Sequence, residues 1–303
     1  MIKEFELIER LTSLVHGRDR AVSLGIGDDA AMIDPALIPK AQKLVMATDT
    51  LVVGRHFKSD DFPEDIGHKA LAVNLSDMAA MGARPKWVLM NLTLPNVDED
   101  WLQGFMVGVG ELLQAYGVEL IGGDTTSGPL SIGFTVLGLT DRPKKRMDAQ
   151  TGDLVVVSGQ LGCAAYALNN PGQSDHCDDQ LKRPMPRFDI AEAVKKYARA
   201  MIDISDGLVA DVGHVCKASC LAAHIDVEKI PVLKAIKHDP QWRDYVLAGG
   251  DDYQLCFTIA SKDANKLPAD CAVIGHMKSG AGVNVYENGQ TLDVKQSGFD
   301  HFG

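Results

Sequence analysis

Apolar and polar positions alternate with a helical period in some stretches of this chain and a strand period in others. Residues 2–15 set Ile2, Phe5, Leu11, Leu14 and Val15 at mostly helical spacing, which predicts an opening amphipathic helix, and a Gly-Asp loop follows at Gly25 to Asp29. The run LVMAT at 44–48 predicts a strand ending at Asp49. Asp61 and Pro63 then supply a cap and a first-turn proline for a helix running to about Met81. A second strand is predicted over 87–94. Asp98 starts a helix that Gly117 stops, a strand follows through Ile121, and Leu130 to Thr140 reads as another strand. The polar, basic segment RPKKRMDAQTG at 142–152 precedes the clean strand Leu154 to Val157, which places a domain boundary near 147 and divides the chain into 1–147 and 148–303. Beyond it the pattern predicts a Gly-rich turn and helix over 159–169, then a polar segment in which His176, Cys177, Asp178 and Asp179 read as a solvated loop. A helix over 189–200, a strand over 201–204, a helix from 206 to about 218 and strands at 222–227, 253–259 and 271–275 complete the pattern. Asn288-Gly289, between Val283 to Tyr286 and Thr291 to Val294, marks a closing hairpin. The class is mixed α/β, without a repeat of solenoid period.

Length and charge narrow this picture. A chain of 303 residues favours two domains, each able to close its own core. Thirty Lys plus Arg against 41 Asp plus Glu leave a net charge of −11, so the average field repels nucleic acid and anionic membrane surfaces. A phosphate-bearing ligand must therefore be held by local positive charge. No apolar run approaches the ~18 residues of a membrane helix. Met1 to Arg10 carries Lys3 with Glu4, Glu6 and Glu9 and lacks a signal peptide's apolar stretch, so a cytoplasmic location is expected. Six scattered cysteines, none in the first half, predict free thiols. His214, Cys216 and Cys220 lack a fourth soft-metal ligand at a standard spacing, and the two cysteines read as buried small apolar side chains.

The informative residues are acids in places that do not favour them. Between Lys69 and Arg84 the only polar side chains are Asn74, Ser76 and Asp77, so the helix there must be largely buried. At about 100° per residue Asp77 lies about 20° from Ile66 and Ala70 and about 40° from Val73 and Met81, on an apolar stripe. A lone charge there costs several kcal/mol. A buried Arg partner or a divalent cation would each resolve it. Four other motifs set acids at strand ends or in glycine-flanked loops: Asp28 and Asp29 in GIGDD, Asp49 in ATDT, Asp124 in GGDT, and Asp203 with Asp206 in DISDG. Singly, each reads as a turn or cap residue. Together, and with Thr48, they make an oxygen-only environment suited to Mg²⁺, which usually bridges a substrate phosphate as well. An acidic protein can hold a polyanion if cations stand between them.

GIGDDA also matches a dinucleotide-binding turn, with Asp49 as the ribose acid. Asp28 and Asp29 would put negative charge where pyrophosphate must sit, and Pro35 leaves too little chain for the required helix. The sequence has no GxxxxGK[ST], HRD, DFG or GxSxG motif. Phosphoryl transfer by this chain needs another architecture.

In order, GIGDDAA, TDTLVVGRHF, KALAVNLSDMAAMGARPKW, IGGDTT, LVVVSGQLG, KRPMPR, MIDISDGLVAD, GGDDYQLCFT and the terminal GFDHF closely resemble the bacterial thiamine-monophosphate kinase family. The blocks run from residue 25 to 302, and NLSD, DISDG and GG-acid-DY in series are a specific signal. That family belongs to the ATP-binding superfamily that includes aminoimidazole ribonucleotide synthetase. The resemblance implies an N-terminal α/β domain that dimerises, a C-terminal α/β domain, and Mg²⁺-assisted transfer of the ATP γ-phosphoryl group to thiamine monophosphate. By motif position Asp29, Thr48, Asp49, Asp77, Asp124, Asp203 and Asp206 resemble metal ligands, with Asp77 bridging ions and Asp77, Asp49 and Asp206 as the catalytic set. Gly123, Asp124, Arg146 and Ser205 resemble ATP contacts, and His56, Asp251 and Phe299 match positions that hold thiamine monophosphate. The chain departs from the pattern at Asp251, where many members carry Glu, and at Ala47, where many carry Ser or Thr. The alternatives are another enzyme of the superfamily, such as selenophosphate synthetase or the hydrogenase maturation dehydratase, and a non-catalytic nucleotide sensor. The first two rely on reactive residues near the N-terminus or at the C-terminus, whereas the first cysteine here is Cys163 and the chain ends DHFG.

Overall fold

The computed structural model describes residues 19–26, 30–294 and 298; the opening helix expected over 2–15, Asp29 and Phe299 lie outside them. The chain divides into two compact units, one of residues up to Met78 with Ala83–Arg142, the other of Ala79–Gly82 with Pro143 onward.

In the first unit, β1 (Val22–Leu24) and β2 (Met32–Ile33) form a short antiparallel pair. Four further strands, β3 (Lys43–Val52), β4 (Arg84–Leu94), β5 (Glu119–Ser127) and β6 (Ser131–Thr140), make a sheet in the order β3-β6-β4-β5. β6 runs antiparallel to both neighbours, and β4 runs parallel to β5. A parallel pair requires a crossover, and the helix Glu99–Tyr116 provides it. Asp98 caps that helix by accepting the Asp100 and Trp101 N–H groups, and Gly117 ends it at φ 62°. The helix Pro63–Ala80 is buried without a break from Ile66 to Ser76, as its apolar sequence requires. It meets its neighbour backbone to backbone: a Cβ on Gly67 would sit 2.1 Å from the Phe105 carbonyl oxygen, and one on Gly108 1.9 Å from that of Glu64. Asp61 closes the turn before the helix by accepting the Lys58 N–H at 2.7 Å.

Two strands outrun their apolar cores. β3 continues through Asp49 to Val52, and β5 continues from Ile121 through Gly122, Gly123 and Asp124 to Ser127. Asp49 and Asp124 therefore lie inside strands, not at their ends. Each is held in register by a long neighbour, Asp49 opposite Phe134 and Asp124 opposite Asn91. Both strands are edges, where polar side chains are tolerated at solvent-facing positions.

The second unit is built on seven strands: β7 (Leu154–Ser158), β8 (Ala198–Asp203), β9 (Leu221–Asp226), β10 (Leu255–Ile259), β11 (Cys271–Ser279), β12 (Gly282–Glu287) and β13 (Gln290–Leu292). Their order is β13-β12-β9-β11-β7-β10-β8, antiparallel except for β12 beside β9. Strand alternation feeds two cores. Val155, Val157, Ile202 and Cys256 pack with Leu208, Val212 and Val215 of the helix Leu208–Ser219, while Val156, Met201, Leu255 and Phe257 pack with Ile190 and Val194 of the helix Phe188–Val194. Asn288 and Gly289, at φ 50° and 75°, close the expected hairpin.

Three local expectations change. The segment His176–Asp179 belongs to a helix, Asp175–Lys182, because Ser174 caps it at Cys177 N–H and the fully buried Cys177 side chain anchors an otherwise polar turn. The helix expected over 189–200 stops at Val194, since Ala198–Asp203 is claimed by pairing with β10. All six cysteines are free thiols, but Cys220 is exposed, serving as a left-handed helix cap at φ 54°. Among the described residues no helix is long and apolar enough to cross a membrane.

Candidate active site

In the first unit the acids gather around a buried amide. Asn74 has no exposed surface; its Oδ1 accepts the Asp49 backbone N–H at 2.8 Å, and its Nδ2 donates to the Ala70 carbonyl at 3.1 Å. Asp77, half-buried, stands three residues further along the same helix, on the adjoining turn. Burying the helix thus delivers one acid and fastens the strand that carries another. Thr48 Oγ1 donates to the Phe134 carbonyl at 2.9 Å and lies 3.0 Å from Thr135 Oγ1.

Sheet register places the remaining motif. Asp49 shares a row with Phe134, Met90 and Gly123, and the next row holds Thr50, Gly133, Asn91 and Asp124. Asp124 therefore sits at the opposite edge of the sheet from Asp49, three strand spacings or about 14 Å away if the sheet were flat. At that spacing one cation with bonds of about 2.1 Å would not bridge the two carboxylates within a single protomer. Asn74 thus ties Asp49 to the helix that carries Asp77, while Asp124 lies on the opposite edge strand. Gly123 has φ 152°, and a Cβ there would lie 1.8 Å from the Met90 carbonyl oxygen, so the approach of β4 alone requires glycine. His56 Nδ1 accepts the Val52 N–H at 3.0 Å, and its carbonyl accepts from Lys69 Nζ at 3.2 Å. In the neutral ring the proton is then on Nε2, which becomes a donor.

In the second unit Asp203 ends β8, 5% exposed, and the loop Ser205-Asp206-Gly207 follows. Asp211 Oδ2 accepts all three N–H groups of that loop, from Ser205, Asp206 and Gly207, at 3.0, 3.1 and 3.1 Å. Asp206, Asp211 and His214 each present a ligand atom within 4.8 Å of the others. Burial, with the charges of Asp203 and Asp206 added, pushes the Asp211 carboxyl up to about 7. A carboxyl raised by its acidic neighbours in this way, in a cluster offering mainly oxygen donors, fits a hard divalent cation that would relieve the repulsion. Arg146 is exposed in the short turn Arg146–Asp148, and its carbonyl accepts Ser219 Oγ at 2.8 Å at the end of the helix Leu208–Ser219.

The segment bearing Asp251 runs beside this loop. Asp251 N–H donates to the Ser205 carbonyl at 2.9 Å, Tyr253 N–H to that of Ile204 at 2.8 Å, and Ile204 N–H to that of Gln254 at 2.8 Å. Glycines make the contact possible: a Cβ on Gly250 would lie 2.2 Å from the Ser205 carbonyl oxygen, and one on Gly298 2.9 Å from that of Asp206. The structure thus brings Asp203, Ser205, Asp206 and Asp251 together.

Two acids escaped the sequence reading. Asp211 lies in the first turn of its helix, where an acid meets unpaired N–H groups, and that position was the available signal. Asp252 reads as one half of a DD pair but turns inward: its carboxylate accepts the Gly162 and Ala164 N–H groups at 2.7 and 3.3 Å. Burial pushes Asp252 up to about 7 against those hydrogen bonds.

Residues 27–140 match the AIR synthase related protein N-terminal domain family, and residues 150–288 match the corresponding C-terminal domain family. The thiamine-monophosphate kinase of Salmonella typhimurium is 41% identical, covering 99% of this chain and 98% of its own. The crystal structure of the thiamine-monophosphate kinase from Stenotrophomonas maltophilia is 39% identical with a TM-score of 0.84, covering 96% of this chain and 98% of that one. A solved structure of AaThiL complexed with AMPPCP and TMP is 32% identical with a TM-score of 0.78, covering 99% of this chain and 97% of that one.

Proposed function

Because this chain belongs to the thiamine-monophosphate kinase family, we infer that it transfers the γ-phosphoryl group of ATP to thiamine monophosphate, forming thiamine diphosphate and ADP. The observation that carries this is end-to-end similarity to kinases of that name, together with acid motifs lying on both sequence halves. The acceptor is a phosphate already ionised at neutral pH, so the reaction needs no general base. Its difficulty is bringing two anions into line.

The acids serve that need. Asp29, Thr48, Asp49, Asp77, Asp124, Asp203 and Asp206 would hold several Mg²⁺ ions, with Asp77, Asp49 and Asp206 at the reacting phosphates. Bound there, Mg²⁺ supplies charge neutralisation and positioning. The separation of Asp124 from Asp49 along the sheet rows supports more than one ion. Gly123, Asp124, Arg146 and Ser205 contact ATP, Arg146 adding positive charge to a phosphate. His56, Asp251 and Phe299 hold thiamine monophosphate: His56 through Nε2–H, Asp251 through a carboxylate near the cationic ring, Phe299 through ring contact.

The enzyme works as a cytoplasmic homodimer, with the boundary between its two domains near residue 147 of the chain. Support for self-association comes from β3, whose Leu44 and Met46, 44% and 66% exposed, leave an apolar strip on a sheet edge. The functional reading is tested by an acceptor screen. With ATP and Mg²⁺, thiamine monophosphate should be phosphorylated, while aminoimidazole precursors and selenide should not. Failure with thiamine monophosphate, or faster turnover of another acceptor, rejects it.

A further inference from the structure

Among the described residues, four other than glycine have a left-handed backbone: Cys220, Asp251, Tyr253 and Asn288. Cys220 caps a helix and Asn288 sits in a two-residue hairpin turn, places where that conformation is routine. Asp251 and Tyr253, at φ 65° and 48°, are neither. Two such residues on either side of a third persist only where the surroundings over-determine them.

Here each position is pinned. Asp251 and Tyr253 donate their N–H groups to Ser205 and Ile204. Asp252 is locked to the Gly162 and Ala164 N–H groups. Gln254 Oε1 accepts from Arg187 Nη1 at 2.6 Å and from Ser158 Oγ at 2.9 Å. The product of these constraints is one contact. The Tyr253 ring is buried, 9% exposed, and its hydroxyl donates to Asp251 Oδ1 at 2.9 Å. With Asp252 turned inward, the strained backbone puts the side chains of Asp251 and Tyr253 on one side and lets the phenol fix the carboxylate.

We propose that Tyr253 is a positioning residue for the phosphoryl acceptor, its hydroxyl holding the Asp251 carboxylate in the orientation that recognises thiamine monophosphate. The proposal rests on the reading of Asp251 as an acceptor contact. A hydrogen bond between a phenol and a carboxylate is charge-assisted, and both partners here are fixed before any ligand arrives.

The test is a double-mutant cycle on the full-length chain with Tyr253→Phe, Asp251→Asn and the pair, measuring kcat, KM for each substrate and thermal midpoint. Tyr253→Phe should raise KM for thiamine monophosphate about tenfold while leaving KM for ATP within about twofold and the midpoint nearly unchanged, because the ring is kept. In the Asp251→Asn background the same change should add little, since the contact is already weakened. An unchanged KM for thiamine monophosphate in Tyr253→Phe, with a raised one in Asp251→Asn, overturns the role of Tyr253 and leaves that of Asp251 standing. A large fall in midpoint, or equal losses for both substrates, assigns Tyr253 to the fold and also overturns it. If Asp251→Asn itself binds thiamine monophosphate normally, the reading of Asp251 fails and the proposal with it.

Discussion

Asn74 accepts the Asp49 backbone N–H at 2.8 Å, so a fully buried amide on a helix holds in place the strand residue expected to ligate a cation. The same helix carries Asp77 one turn further on. Replacing Asn74 by Ala removes this hydrogen bond, at a cost of about 1 kcal/mol. Urea unfolding should show that loss. The kcat should fall at least tenfold, because the Asp49 backbone is no longer fixed.

The Asp211 carboxylate organises the Ser205-Asp206-Gly207 loop through one oxygen. Asp211→Asn retains an amide oxygen and should keep most of the stability, whereas Asp211→Ala abandons three donors and should lose about 2 kcal/mol or more. Both measurements are made by denaturant titration. KM for ATP should rise more in the Ala variant, since Ser205 and Asp206 lose their common anchor.

Asp252 predicts a pH effect on stability. Its folded value is raised by burial to about 7, from an ordinary 3.8. Folding therefore favours the protonated carboxyl. The stability this contributes is present below about pH 4 and is lost as pH rises through 7. Asp252→Asn cannot ionise, so its stability relative to the wild type should improve steadily from pH 4 to pH 7. A difference independent of pH would show that Asp252 stays ionised throughout.

The apolar strip on β3 bears on assembly. Sedimentation should find a dimer, and Met46→Glu should yield a monomer with an unchanged far-ultraviolet spectrum. Met46 is 66% exposed within the unit, so the substitution leaves the protomer core untouched.

Much of this was legible in the chain, for reasons that can be named. The buried helix around Asp77 announced itself because three polar side chains in the fourteen positions between Lys69 and Arg84 leave it no solvent face. Asp98 and Gly117 marked the ends of a helix from local chemistry alone, one through a capping carboxylate and the other through the absence of a Cβ. What escaped depended on partners remote in sequence. β5 runs on through Gly122-Gly123-Asp124 because β4 pairs with it, and no local preference would extend a strand through two glycines. Cys177 turns a polar stretch into a helix by packing into a core that the local pattern does not show. Asp252 and Asp211 gain their roles from N–H groups, those of Gly162 and of Ser205, that only the folded chain presents. Motifs give the identities of the acids; register and glycine contacts give their neighbours.

The most direct test follows both products in one reaction. Purified protein is incubated with ATP, Mg²⁺ and thiamine monophosphate, and ADP and thiamine diphosphate are quantified together, with and without EDTA and in Asp77→Asn. One ADP should form per thiamine diphosphate, neither product should form in EDTA, activity should recover when Mg²⁺ is added in excess, and Asp77→Asn should be folded but inactive. Thiamine diphosphate formed at an undiminished rate in EDTA, or by Asp77→Asn, would contradict cation-dependent phosphoryl transfer by these acids.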